Sequence, residues 1–130
     1  MKALLDTHAF LWWIDRHERL SAKALDAIGA AQNDIFVSVV NVWEIVIKAK
    51  VGRIQMPGDP ASFLNRQIAE NSFQVLPIQM PHALRVYDLP DHPRHKDPFD
   101  RLLVAQALIE DMPVISGDGL LDHYGVERIW

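Results

Sequence analysis

Apolar residues change their spacing repeatedly along this 130-residue chain. Ala3 to Leu5 is a short apolar run, and Ile35 to Val40 is a run rich in branched residues. Phe73 to Ile78 and Pro113 to Ser116 have the same strand character, and Val126 to Ile129 reads as an edge strand. Between them the spacing turns helical. The predicted helices are Ala9 to Ile14, Ala22 to Ala31 behind a Ser21 cap, and Val42 to Val51 between an Asn41 cap and a stop at Gly52. The loop MPGDP leads into a helix from Ala61 to Glu70, and a short helix spans Pro81 to Val86. After the polar loop DLPDHPRHKD, residues Leu102, Leu103, Ala105, Gln106 and Ile109 recur at helical spacing, so an amphipathic helix starts near Pro98. GDGLLDHYG reads as a turn with a short helix.

Strands that alternate with helices predict a mainly parallel central sheet covered on both faces. The fold class is therefore α/β, a three-layer α/β/α sandwich, with residues 1–130 forming a single domain. In such a sheet, right-handed crossovers bring the strand ends to one edge, where open α/β sheets bind ligands. Acids follow the strands: Asp6 after KALL, Glu44 in the helix after IFVSVV, Asp97 and Asp100 at the head of the long helix, Asp118 after VIS. They are expected to converge.

Helix capping accounts for the same placement. Asp and Glu favour helix N-termini through capping and the macrodipole, so each acid taken alone reads first as a cap. In HKDPFDR, Asp97 fits an N-cap, Pro98 fits N1, and Asp100 at N3 can reach back toward the cap amide. Glu44 can pair with Lys48 one turn on. Its neighbours Val42, Trp43, Ile45, Val46 and Ile47 are apolar, however, which predicts a largely buried helix and an acid in need of a partner.

Composition then narrows the chemistry. An apolar content of 49% suits a packed core. The chain has no cysteine, which excludes disulfides, thiolate zinc sites and cysteine nucleophiles, and suits a reducing cytoplasm. Asp6 and His8 interrupt the N-terminal apolar run, and Asn41, Glu44 and Lys48 break the longest one, so neither a signal peptide nor a membrane span is expected. A net charge of −4 argues against a general nucleic-acid coating protein but leaves room for an acidic pocket with basic rims. Carboxylates held together repel unless a cation neutralises them, and oxygen donors without histidine or thiolate prescribe Mg²⁺ or Mn²⁺. Such an ion activates water at a phosphoryl group. Phosphodiester hydrolysis is the reaction that follows.

DTHAFLWW, VNVWEIVIK, HKDPFDRLLVAQA and VISGDGLLDHYGV together resemble the motifs of PIN-domain ribonucleases, especially VapC-type toxins of bacterial toxin–antitoxin systems. The resemblance spans essentially the whole chain. It implies catalytic acids at Asp6, Glu44, Asp100 and Asp118, with Asp6 and Asp100 on the metal and Glu44, Asp118 and Asp97 as further or indirect ligands. Asp97 is an extra acid of the HxDPFDR variety and is assigned to capping; Asp122 is assigned to the periphery. Ser116 stands where many members carry threonine, a hydroxyl able to orient a carboxylate or substrate. The resemblance further implies Mg²⁺- or Mn²⁺-dependent cleavage of RNA to 5′-phosphate and 3′-hydroxyl ends, a homodimer, and a cognate antitoxin covering the groove.

Substrate contacts are expected at Ser116 and, on the polar loop, at Arg94 and Lys96 with His92 and His95, although solvated loop residues are the simpler reading of each loop position. Single-stranded or looped RNA is favoured because its bases can be splayed and stacked. HPRH makes only a weak transition-metal motif. Trp12, Trp13, Trp43 and Trp130 read first as core-filling groups. Trp12 and Trp13 are adjacent on a helix, however, and point about 100° apart, so both need not be buried and a partner groove is open to one of them. Two rival classes remain: a noncatalytic binding module whose acids are caps, and a DNA-directed or flap-type nuclease with the same metal chemistry. A receiver domain is disfavoured because Phe73 to Ile78 ends in no acid and no lysine follows Lys96.

Overall fold

A computed structural model describes residues 1–130. Five strands, β1 (Lys2–Leu5), β2 (Asp34–Ser38), β3 (Gln74–Leu76), β4 (Val114–Ile115) and β5 (Arg128–Ile129), form one sheet in the order β3-β2-β1-β4-β5. Every pairing is parallel. The helices are α1 (Thr7–Asp15), α2 (Ala22–Gly29), α3 (Val39–Lys50), α4 (Pro60–Glu70), α5 (Met80–Arg85) and α6 (Pro98–Glu110), with 3-10 turns at Val86–Asp88 and Gly119–Tyr124.

Strand side chains alternate between the faces. Ala3, Leu5, Val37 and Ile115 join Phe10, Ala24 and Phe63 in one core under α1, α2 and α4. Leu4 and Val114 turn the other way and pack with Leu103, Val104 and Ala107 of α6. The expected three layers are present, and the order reverses direction between β1 and β4, the kind of point at which open sheets form a crevice.

Several boundaries differ from the sequence pattern, and two of them have a clear physical cause. The strand expected to run to Val40 ends at Ser38, because the Ser38 side chain caps α3 and Asn41 at N3 accepts from the Ser38 amide. Asn41 thus completes a capping box instead of serving as the cap. The third strand stops at Leu76 because Pro77 has no amide to donate to a ladder. Helix α3 is also less buried than its composition suggests. Ile45 and Glu44 face inward, whereas Trp43, Val46 and Ile47 are exposed.

Candidate metal centre and active site

Asp6, at the end of β1, is the N-cap of α1: its Oδ1 accepts from the Ala9 amide at 2.7 Å. Asp118, beyond β4, caps the 3-10 turn in the same way, its Oδ1 accepting from the Leu120 amide at 3.0 Å while its Oδ2 stays within 3.8 Å of His95 Nε2. For these two residues capping and site-building are compatible, since each carboxylate has two oxygens. Asp97 and Asp100 divide the roles between them. Asp97 is exposed and accepts from the Phe99 and Asp100 amides at 2.8 and 3.1 Å. Asp100 does not fold back onto the cap; its Oδ2 sits 3.3 Å from His95 Nε2.

Together Asp6, Thr7, His8, Glu44, Asp100 and Asp118 line a small pocket of about 100 Å³, to which Lys48 and Asp97 also contribute. Burial pushes the Asp100 carboxyl up to about 7, helped by the negative charges of Asp97, Glu44, Asp6 and Asp118. Burial also raises Asp6, against the lowering effect of its hydrogen bonds to Ser116 and the Ala9 amide. A divalent cation would remove both penalties, so the donor chemistry fits the ion that the sequence implies. Asp100, Asp118 and His95 can each bring one donor atom within 4.8 Å of the others, and Asp6 lines the same pocket.

Glu44 is buried and already partnered. It accepts from Thr7 Oγ1 at 2.6 Å and pairs with Lys48, whose ammonium is partly exposed at the pocket wall. Asn41 Nδ2 donates to Thr7 Oγ1 at 3.0 Å, Asn41 Oδ1 accepts from the Ser38 amide at 2.8 Å, and Ser38 Oγ is hydrogen-bonded to Gln106. The network continues to the Pro77 carbonyl through Gln106 Nε2 at 3.2 Å. Buried polar groups linked in this way hold one geometry.

The family model for the PIN domain matches residues 3–127 of the chain. The chain belongs to the PIN-domain family. Among curated relatives, this PIN domain is 31% identical over 115 residues to ribonuclease VapC22 of Mycobacterium tuberculosis, a match covering 88% of the chain and 85% of the relative. Its fold is similar to that of a chain in the crystal structure of VapBC2 from Rickettsia felis bound to a DNA fragment from their promoter, with TM-score 0.73, 14% identity and complete coverage of both chains. It is also similar to a chain of VapBC-1 from nontypeable Haemophilus influenzae, with TM-score 0.68, 13% identity, and coverage of 98% of this chain and 96% of that one.

Within the PIN domain, two expectations about substrate contacts need correction. Ser116 is fully buried, bonding to Asp6 and accepting from the Asp118 amide at 3.0 Å, so its hydroxyl orients carboxylates and offers nothing to a substrate. His95 is likewise buried, at 4% exposure, and turns away from solvent toward the acids. Arg94 and Lys96 do lie at the surface. Lys96 shares with Arg101 and His92 the lining of a pocket of about 540 Å³ that adjoins His95. Asp122 is outside the cluster, clamped by Arg128 at 2.9 and 3.1 Å. Neither neighbouring tryptophan is fully exposed: Trp13 Nε1 donates to Asn71 Oδ1 at 2.9 Å, and Trp12 stacks on His8 and His17.

The PIN-domain pocket also contains residues that the motifs did not single out. Thr7 and Lys48 serve Glu44, and the i,i+4 spacing of Glu44 and Lys48 was the visible signal. For His95 the visible signal is the HPRH motif, weak because two loop histidines without thiolates seldom make a metal site.

Proposed function

We propose that this PIN domain is a divalent-metal-dependent endoribonuclease, the toxin of a VapBC-type pair, with Asp6, Asp100 and Asp118 as metal-binding acids and Glu44 as the fourth acid of the site. The observation carrying this reading is the crowding of four carboxylates at the β1–β4 crevice, with Asp100 raised to about 7. Capping alone collects acids at this edge but does not account for Asp100, which caps nothing and is raised by burial and by the charges of the other acids. The ion, Mg²⁺ or Mn²⁺, supplies Lewis acidity for water activation and for charge on the phosphoryl group.

The chain's own residues supply the rest. Asp6 and Asp118 are held by the helix ends they cap, and Ser116 bonds to the one while accepting from the amide of the other. Thr7 and Lys48 fix Glu44, and the Lys48 ammonium offers a positive wall to a phosphate. Arg94 and Lys96 supply cations for the RNA backbone beyond the cleavage point. Cleavage by water leaves a 5′-phosphate and a 3′-hydroxyl. RNA is preferred to DNA in this reading because the curated relative bears the name ribonuclease, and single-stranded or looped regions are preferred because the small pocket requires an accessible phosphate.

The neighbouring folds come from VapBC complexes, which supports a cognate antitoxin as partner. Exposed apolar side chains on α3 (Trp43, Val46, Ile47) and around α5 (Met80, Leu84, Tyr87) give room both for it and for a second copy in a homodimer. No helix is long and apolar enough to cross a membrane, and the cysteine-free chain suits the cytoplasm, where its RNA would be found.

The test is incubation of antitoxin-free protein with labelled RNAs and single-stranded DNA, in Mg²⁺, Mn²⁺ or EDTA, beside Asp6→Asn. RNA cleavage that leaves 5′-phosphates, needs the ion and disappears in the variant is the expected result. Folded, metal-loaded protein that cuts nothing in a broad cellular RNA pool would move the site to a binding role, and preferential cutting of DNA would move the substrate.

A further inference from the structure

His95 is held in an unusual position for a loop residue. Pro93 lies inside a tight turn closed by His95 N–H donating to the His92 carbonyl at 3.2 Å, and the turn sends the imidazole inward. One ring nitrogen is accounted for. Nδ1 is 2.5 Å from Tyr124 Oη. Tyr124 Oη donates to the His95 carbonyl at 3.4 Å and receives Arg101 Nη1 at 3.4 Å. When the phenolic hydrogen is directed at that carbonyl, the phenol oxygen accepts from His95 Nδ1–H and Nε2 is the nitrogen with a lone pair, the tautomer that an ion on the Nε2 side selects.

Nε2 is buried and has no hydrogen-bond partner. It is aimed into the acidic cluster, 3.3 Å from Asp100 Oδ2 and 3.8 Å from Asp118 Oδ2, and these three side chains can bring one donor atom each within 4.8 Å of one another. Donors bound at about 2.1 Å to a common ion lie about 3.0 Å apart at right angles and about 3.4 Å apart at tetrahedral angles. The His95–Asp100 separation falls in that range, and the His95–Asp118 separation lies a little above it. Close as they are, neither carboxylate makes a hydrogen bond with Nε2, so the nitrogen stays without a partner unless an ion lies between them.

We propose that His95 Nε2 is a direct ligand of the divalent ion, together with Asp100 and Asp118, so that the centre is a mixed nitrogen–oxygen site and not the all-oxygen site the acids alone suggest. Tyr124 is its positioning residue, fixing the tautomer as metal-binding imidazoles commonly require. An imidazole donor raises affinity for Mn²⁺ and later first-row ions relative to Mg²⁺. The proposal rests on the metal-dependent reading of the site, but its test does not depend on cleavage.

Pulsed EPR of the Mn²⁺-loaded full chain reads the bond itself. A ¹⁴N coupling of directly bound imidazole is expected, replaced by the ¹⁵N pattern when the protein is grown with ¹⁵N-histidine. The coupling should persist in His8→Asn, which removes the other imidazole at the pocket, and vanish in His95→Gln. Mn²⁺ should outcompete Mg²⁺ by more than tenfold in the native chain and lose most of that margin in His95→Gln; Tyr124→Phe should narrow it by less. Mn²⁺ bound without nitrogen coupling, a coupling lost in His8→Asn, or no Mn²⁺ binding would overturn the assignment. The first of these, with RNA still cleaved, would leave the nuclease standing and remove only His95. The expected coupling in a chain that cuts no RNA would do the opposite.

Discussion

The two halves of the acidic pocket are built on opposite terms. On the Glu44 side every buried polar group has its partner, through a chain running from Lys48 and Thr7 to Asn41, Ser38, Gln106 and the Pro77 carbonyl. On the Asp100 side a carboxyl is held near 7, and a buried imidazole nitrogen has no partner. A satisfied network needs no ligand and serves as a rigid wall; an unsatisfied one is where a cation has most to gain. On the proposed reading, the difference divides the pocket into a side that gains from a cation and a side that holds the pocket in shape.

The sharpest way to break this comparison is to substitute within α6. Asp100→Asn should lower kcat/KM on labelled RNA by at least about a hundredfold, the scale lost with a transition-state charge contact. Asp97→Asn should keep most activity, because asparagine also caps. Equal losses would erase the division of roles between the two aspartates.

Removing a member of the satisfied side should damage folding first. Asn41→Ala leaves the Ser38 amide and Thr7 hydroxyl short of partners and should cost about 1–3 kcal/mol, read from urea unfolding. A neutral result would mean that this wall is looser than its hydrogen bonds indicate.

The Asp100 side should show its cost through pH. The folded pKa is raised above the ordinary aspartate value of 3.8. Below both values the protonated acid is no burden. As pH rises from about 3.8 through about 7 the unfolded chain releases its proton first, so metal-free protein loses stability that it held at low pH. Asp100→Asn should therefore melt several degrees above the metal-free native chain at pH 8, with the difference shrinking toward pH 4; saturating Mn²⁺ at pH 8 should also close it. A difference that does not depend on pH would place Asp100 in ordinary solvent.

The smallest effect belongs to the surface. Ile47→Ser, on the exposed face of α3, should leave the melting temperature nearly unchanged and weaken self-association in sedimentation, if this face joins two copies.

Much of this arrangement was legible beforehand because it follows from local rules. The alternation of strand and helix, the order of the layers and the acids at the strand ends come directly from periodicity and crossover handedness. The α3 boundary was missed because the competition between extending a strand and closing the Ser38–Asn41 capping box is decided by side-chain bonds that a hydropathy pattern does not register. The sequence leaves Ser116 open between orienting a carboxylate and orienting substrate, and it puts His95 among exposed loop residues, because polarity alone does not reveal burial. Their burial depends on contacts with Asp6, Asp118 and Tyr124, which are distant in sequence or formed across loops. The exposed side of α3 was obscured for the converse reason: apolar residues all round a helix indicate burial only when no other chain is expected to cover part of it.

The unequal duties of the aspartates also decide how such a protein can lose its activity over generations. Asp6 and Asp118 begin helices as well as shaping the pocket, so replacing either with a residue that cannot cap removes function and weakens folding together. Asp100 carries no such duty, and the native chain bears the burden of its buried charge. If Asp100 is the metal ligand proposed above, one substitution there gives a chain that folds at least as well as its parent and has lost only its chemistry. Folding and activity would then part company at a single position.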